Sequence, residues 1–144
     1  MSAAIDVNIL LYASDSSSEF SGRARKFLAD LAAGTEILFI SWGTIMAYLR
    51  MATHPSIFSH PLSAADAAAN MEALLGLPHT RALNEEEGFW DAYREVTSQV
   101  PARGNLVPDA HLATILRQHG VKVLYTSDVD FRKFSFLEVR NPFV

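Results

Sequence analysis

No cysteine occurs among the 144 residues, which excludes disulfides, zinc–thiolate sites and thiol nucleophiles and fits a reduced, cytoplasmic setting. No apolar run is long enough to cross a membrane. The opening stretch, Met1 to Asp6, has neither the basic region nor the apolar core of a signal peptide, so no secretion is expected. An excess of basic charge is missing as well: twelve Lys and Arg against sixteen Asp and Glu leave a net charge of −4 and a pI near 5.7. A protein held to nucleic acid by non-specific phosphate contacts would ordinarily be basic. Any such binding must therefore come from a local basic patch, or from metal ions that neutralise an acidic pocket. Repeats, low-complexity tracts and linker-like segments are also absent. What is abundant is apolar: 49% of residues are hydrophobic and the mean hydropathy is +0.11. That suits a compact globule, and the length suits one domain with one core over residues 1–144.

Along the chain, buried strands and amphipathic helices alternate. The apolar run Ala3–Val7, closed by Asp6 and Asn8, reads as a strand. Ser18 caps a predicted helix with Phe20, Ala24, Phe27, Leu28 and Leu31 at helical spacing, stopped by Gly34. Ile37–Ile40 reads as the second strand, Ser41 as the cap of a helix ended by Pro55, and Ser63 with Asp66 as the start of a helix reaching Leu75. A short extended piece covers Thr80–Leu83. Asn84 is read as a cap, with Glu85, Glu86 and Glu87 in a first helical turn where acids suit the positive helix end. After a loop from Pro101 to Asn105, Pro108 is expected as a first helical residue and Gly120 as that helix's stop. Lys122–Thr126 reads as another strand, Ser127–Val129 as a turn, and Phe136–Val139 as an edge strand. The alternation predicts an α/β fold in which a central parallel sheet is covered on both faces.

Ligands in such sheets gather at the carboxyl ends of the strands. Asp6 ends the first strand, Asp128 follows the Lys122–Thr126 strand, and Asp109 lies in the first turn of a helix that can point it toward the same edge. Each has an ordinary structural alternative: a strand-end acceptor for Asp6, a helix N-terminal acid for Asp109, a turn residue for Asp128. Together they make a candidate catalytic and metal site, because converging carboxylates repel one another unless a cation joins them. Mg2+ or Mn2+ takes oxygen ligands and activates water for phosphodiester cleavage. Asp130, in the same Ser-Asp-Val-Asp stretch, is an auxiliary or a turn residue.

Three motifs in this order are similar to those of a known family. Asp-Val-Asn-Ile-Leu-Leu-Tyr-Ala (6–13) resembles the opening motif of PIN domains, Val-Pro-Asp-Ala-His-Leu-Ala (107–113) their third, and Thr-Ser-Asp-Val-Asp-Phe (126–131) their last. The stretch from Trp42 through Tyr48-Leu49-Arg50 to Pro55 and Phe58 resembles a subgroup of VapC toxins common in mycobacteria. The resemblance covers essentially the whole chain. It implies a three-layer α/β/α PIN-like domain and an Mg2+- or Mn2+-dependent endoribonuclease toxin acting on RNA. It further implies a homodimer, and inhibition by a VapB-type antitoxin. By position, Asp6, Asp109 and Asp128 match the family's metal-binding acids, while Asn8 and Thr126 match small polar residues that support them. The same resemblance implies a glutamate three residues before Arg50, where this chain has Ala47. That departure keeps open a catalytically weak or inactive module that binds RNA or antitoxin without cutting.

Other residues read more plainly. Trp42 and Trp90 are expected in the core. The five histidines, His54, His60, His79, His111 and His119, show no paired ligand spacing, which argues against zinc. Arg50, Arg132 and Lys133 are candidates for phosphate contact, each with a solvated or ion-paired alternative. The surplus apolar residues between Ser41 and Leu75, among them Met46, Tyr48, Met51, Met71, Leu74 and Leu75, are expected at a dimer interface. A haloacid-dehalogenase-type phosphatase would want an aspartate where Asn8 stands, and a response-regulator receiver would want paired acids near the first strand.

Overall fold

The computed structural model describes residues 2–144. Its elements run β1 (Ser2–Ile5), α1 (Val7–Ser14), α2 (Ser21–Ala33), β2 (Ile37–Ser41), α3 (Trp42–Ala52), α4 (Ala64–Leu75), β3 (Thr80–Leu83), α5 (Phe89–Gln99), α6 (Leu106–Gln118), β4 (Val123–Tyr125), a 3-10 segment (Val129–Lys133) and β5 (Glu138–Arg140). The strands form one parallel sheet in the order β3-β2-β1-β4-β5.

Side chains alternate across a strand, and this sorts the core into two layers. Ala4 and Leu124 face α5, α6 and the 3-10 segment, where Val96, Leu116, Phe131 and Phe134 pack. Ile5, Leu38 and Ile40 face α1 to α4, where Ile9, Ala24, Ile45, Tyr48 and Met71 pack. The short central strands β1 and β4 hold because both their faces are buried. Because β1 connects outward to β2 on one side and pairs with β4 on the other, a crevice opens where the strand order reverses, at the carboxyl ends of β1 and β4.

The predicted caps at Ser41 and Ser63 form: their hydroxyls accept from the Thr44 and Asp66 N–H groups, each at 3.0 Å. Gly120 (φ +68°) closes α6, and the next N–H, of Val121, reaches back to the Leu116 carbonyl at 2.9 Å.

Five expectations need correction. The first strand stops at Ile5 and not Val7, because Asp6 caps a helix, α1, that was not expected between this strand and the helix after Ser18. Helix α2 starts at Ser21; Ser18 instead accepts from the Phe20 N–H in a turn just before it. Glu85 to Glu87 are not helical, and α5 begins at Phe89 after Gly88 in the left-handed region (φ +80°). The α6 side chain of Gln118 holds that segment, accepting from the Glu86 N–H at 2.9 Å and donating to the Glu86 and Glu87 carbonyls. Pro108 is the third residue of α6, still in the first turn, where no intrahelical acceptor waits for the N–H that proline lacks. The edge strand forms at Glu138–Arg140, two residues late, since the Leu137 N–H is spent on the Phe134 carbonyl.

The tryptophans overturn the core expectation, with Trp42 40% and Trp90 65% exposed. Of the apolar surplus, Tyr48 and Met71 are core, whereas Met46 is 54% exposed. No helix among the described residues is long and apolar enough to cross a membrane.

Candidate active site

The crevice at the strand ends is a cavity of about 300 Å³ whose walls include Asp6, Asn8, Ala47, Asp109, His111 and Asp128. Each side chain arrives there for a local reason. Asp6 leaves β1 and caps α1, its Oδ1 accepting from the Val7 N–H at 2.8 Å. Asp109 projects from the first turn of α6. Asp128 follows β4 and caps the 3-10 segment, its Oδ1 accepting from the Asp130 N–H at 2.9 Å.

One buried hydroxyl ties these pieces together. Thr126 is wholly buried; its Oγ1 donates to Asp6 Oδ2 at 2.8 Å and accepts from Asn8 Nδ2 at 2.9 Å and from the Asp128 N–H at 3.0 Å. Asn8 Nδ2 also donates to Asp6 Oδ2 at 3.2 Å, and Asn8 Oδ1 accepts from the Ser127 N–H at 3.3 Å. Asp6 is thereby fixed in orientation while lining the crevice. Asn8 and Thr126 act through these bonds and hold the β1–α1 corner against the β4 turn.

The carboxylates divide by position. Asp109, Asp128 and Asp130 bring one ligand oxygen each within 4.8 Å of one another. Asp6 lines the crevice with Asp109 and Asp128, as Asp130 does not, and is close enough for its charge to act on Asp109. Burial, then the charges of Asp128, Asp6 and Asp130, push the Asp109 carboxyl up to about 7, with Lys133 pulling the other way. Burial likewise raises Asp6, against the bonds from Thr126 and Val7 that lower it. Carboxylates held together at such cost, with no apolar or soft donor among them, match the oxygen set that a hard divalent cation prefers.

The basic candidates lie to the side. Lys133 Nζ is 3.5 Å from Asp130 Oδ1. Arg50 and Arg132 are exposed and line no part of the crevice. Ala47 does line it, with Thr44 and Met51 on the same face of α3, so a longer side chain at position 47 would enter beside the acids. Three further residues, Ser41, Thr44 and His111, line the wall without a signal in the sequence that places them there. Ser41 and Thr44, with hydroxyls 2.9 Å apart, were legible only as a helix cap, although Ser41 ends a parallel strand and so stands on the ligand-binding edge. His111 Nε2 lies 2.6 Å from Glu85 Oε1; it stands two residues beyond Asp109, a position that a search for paired metal-ligand spacing does not pick out.

No protein-family model matches the chain, but individual proteins do. Ribonuclease VapC48 of Mycobacterium tuberculosis is 39% identical over 143 residues, 99% of both chains. Ribonuclease VapC43 of the same organism is 33% identical over 138 residues, 96% of this chain and 93% of that one. Among solved structures, VapBC2 from Rickettsia felis bound to a DNA fragment from its promoter superposes with a TM-score of 0.70 at 16% identity, covering 98% of each chain. VapC20 of M. tuberculosis, a sarcin–ricin loop cleaving toxin, gives 0.69 at 17% identity, covering 96% of this chain and 99% of that one. The five-stranded parallel sheet and its helices thus define a PIN-like α/β domain. At 39% identity over nearly its full length, the chain belongs to the VapC ribonuclease family.

Proposed function

We propose that this chain is an Mg2+- or Mn2+-dependent endoribonuclease, the toxin of a toxin–antitoxin pair. The observation that carries the reading is the cluster of Asp109, Asp128 and Asp130 oxygens within 4.8 Å, backed by Asp6, in a chain 39% identical to a named ribonuclease. An RNA phosphate is itself anionic, so it enters such a pocket only once the acids are neutralised. Asp109, Asp128 and Asp130 would hold the ion, and Asp6, oriented by Thr126, Asn8 and the Val7 N–H, would complete the acidic wall. The bound ion would supply positive charge to the phosphate and leaving oxygen and lower the pKa of water. Arg50, Arg132 and Lys133 remain proposals for phosphate contact outside the crevice.

The structural neighbours include VapBC assemblies, and we extend to this chain a VapB-type antitoxin. A groove of about 480 Å³ between α1, α2 and α4, lined by Leu10, Leu28, Met71 and Leu74, offers apolar surface to such a partner. An arginine from it could grip two crevice carboxylates. A homodimer is proposed on the α3 face, where Trp42 and Met46 are exposed.

The test is cleavage of RNA by the purified chain with and without Mn2+. Asp109→Asn and Asp128→Asn should each lower the rate at least about a hundredfold while leaving the fold intact, the order expected when charge stabilisation at the reacting centre is lost. Full activity in both variants would refute the site. Ala47 favours a second reading, a weak or inactive binder, because the crevice lacks a carboxylate on α3. If the parent chain is inert and Ala47→Glu cuts, that reading stands.

A further inference from the structure

Directly outside the acidic crevice stands an aromatic shelf that neither metal binding nor hydrolysis uses. Phe89, Trp90 and Tyr93 of α5 border an open depression of about 450 Å³, closed on its other side by Val107, Pro108 and His111. Pro108 and His111 also line the crevice, so the two spaces share a wall. The Trp90 ring stacks on Tyr93 with centroids 5.7 Å apart and planes inclined by 16°. One face of the indole is therefore covered, and at 65% exposure its other face meets solvent. Tyr93 and Phe89 pack against the core layer beneath, and His111 meets Phe89 edge-on at 5.4 Å. His111 is itself held by Glu85 at 2.6 Å. The shelf is thus a supported surface that carries a large exposed ring at its rim.

We infer that this shelf binds an unpaired nucleobase of the RNA, next to the phosphate that lies at the acids; the inference rests on the ribonuclease reading above. Exposed aromatic rings beside a phosphate site suit a splayed-out base, since every base has a π-face and paired bases have none free. The backbone then has only to pass the wall formed by Pro108 and His111. Arg94, exposed and one helical turn beyond Trp90, takes part in no ion pair among the described residues and can meet the anionic backbone that leads from the shelf. The net charge of −4 makes such local contacts necessary, because the molecule as a whole repels RNA. Stacking tolerates any base, so the shelf selects single-stranded or looped RNA over duplex more than it selects a sequence.

The test uses the full chain carrying Trp42→Phe, which leaves Trp90 as the sole tryptophan. Two single strands of about ten nucleotides, an oligoadenylate and an abasic ribose-phosphate strand of the same length, each carry a terminal fluorescein so that Kd is read by anisotropy in every variant, and are titrated at low salt with Ca2+ in place of Mn2+ to neutralise the acids, with a gel to show that the strands stay intact. The oligoadenylate should quench Trp90 emission saturably, and Trp90→Ala should raise its Kd about tenfold, while Trp90→Phe keeps most of the affinity. The abasic strand should bind weakly and equally to parent and Trp90→Ala. A Kd common to both strands, absence of binding included, or one unchanged by Trp90→Ala, overturns the inference. So does Trp90 emission that follows protein concentration and not RNA, with Trp90→Ala dropping to monomer mass in light scattering; the shelf would then face a second copy of the chain. Cleavage with Mn2+, run in parallel, separates the two readings: base-dependent quenching in a chain that never cuts supports the shelf and sinks the nuclease, and the reverse pair of results does the opposite.

Discussion

At Asp109 two costs add, burial and the charges of Asp128, Asp6 and Asp130, and together they lift its pKa to about 7. The sign of the consequence follows from linkage. A carboxyl whose folded pKa exceeds its unfolded value binds more protons in the native state, so its stabilising contribution is present below the unfolded pKa of about 4 and is lost as pH rises through the folded one. The metal-free chain should therefore weaken between about pH 4 and 7, with Asp6 adding a contribution of the same sign. Asp109→Asn keeps the shape and removes the titration. In EDTA at about pH 8 it should be more stable than the parent by about 1–2 kcal/mol, allowing for solvent screening of a part-exposed group. Urea unfolding at about pH 5 and pH 8 checks this, and a stability gap that fails to widen at the higher pH would mean that Asp109 is not held in a repulsive cluster.

The β1–α1 corner and the β4 turn are joined through Thr126, whose hydroxyl makes three bonds inside the wholly buried space between them. Thr126→Val preserves volume but strands the Asp128 N–H and leaves the Asn8 amide and Asp6 Oδ2 only their bond to each other. Its cost should be about 2–3 kcal/mol, since unsatisfied buried polar groups lose their desolvation energy in full. Thr126→Ser keeps the hydroxyl and should cost about 1 kcal/mol for the lost methyl. Denaturant midpoints order the two variants, and a Ser variant worse than Val would show that packing, not hydrogen bonding, matters at this position.

The same corner shows where local sequence stops informing. Ile37–Ile40 and Thr80–Leu83 were legible as strands because both ends carry turn or cap residues. The run from Ala3 offers no such break, because Asp6 serves both as strand end and as helix cap, and the apolar residues after it show no start signal of their own for α1. Glu85 to Glu87 look like a helix start, yet their conformation is set by Gln118, His111 and His119 on another helix, and local propensity cannot report tertiary partners of this kind. The acids themselves were legible by topology, Asp6, Asp109 and Asp128 all lining one crevice. That Asp130 would join the tight oxygen cluster depends on the 3-10 segment that follows Asp128, and no spacing rule shows that. Trp90 was misplaced because a helix's apolar residues were assumed to face inward; the inward positions of α5 are taken by Phe89, Tyr93 and Val96.

For the molecule as a whole, the distribution of charge matters more than its sum. The sequence carries −4, and a group of its carboxylates is concentrated at one sheet edge between two helical layers, next to the aromatic shelf with which it shares Pro108 and His111. Such an edge is costly to the free protein and becomes favourable when a cation occupies it, so stability, metal affinity and the proposed reaction are linked through the same four acids. Calorimetric titration of Mn2+ into the metal-free chain near neutral pH tests that link most directly. The account predicts saturable binding that Asp128→Asn weakens by at least about tenfold, as expected when a carboxylate leaves a set of three. Binding of equal strength in parent and variant, or none at millimolar Mn2+, would contradict it.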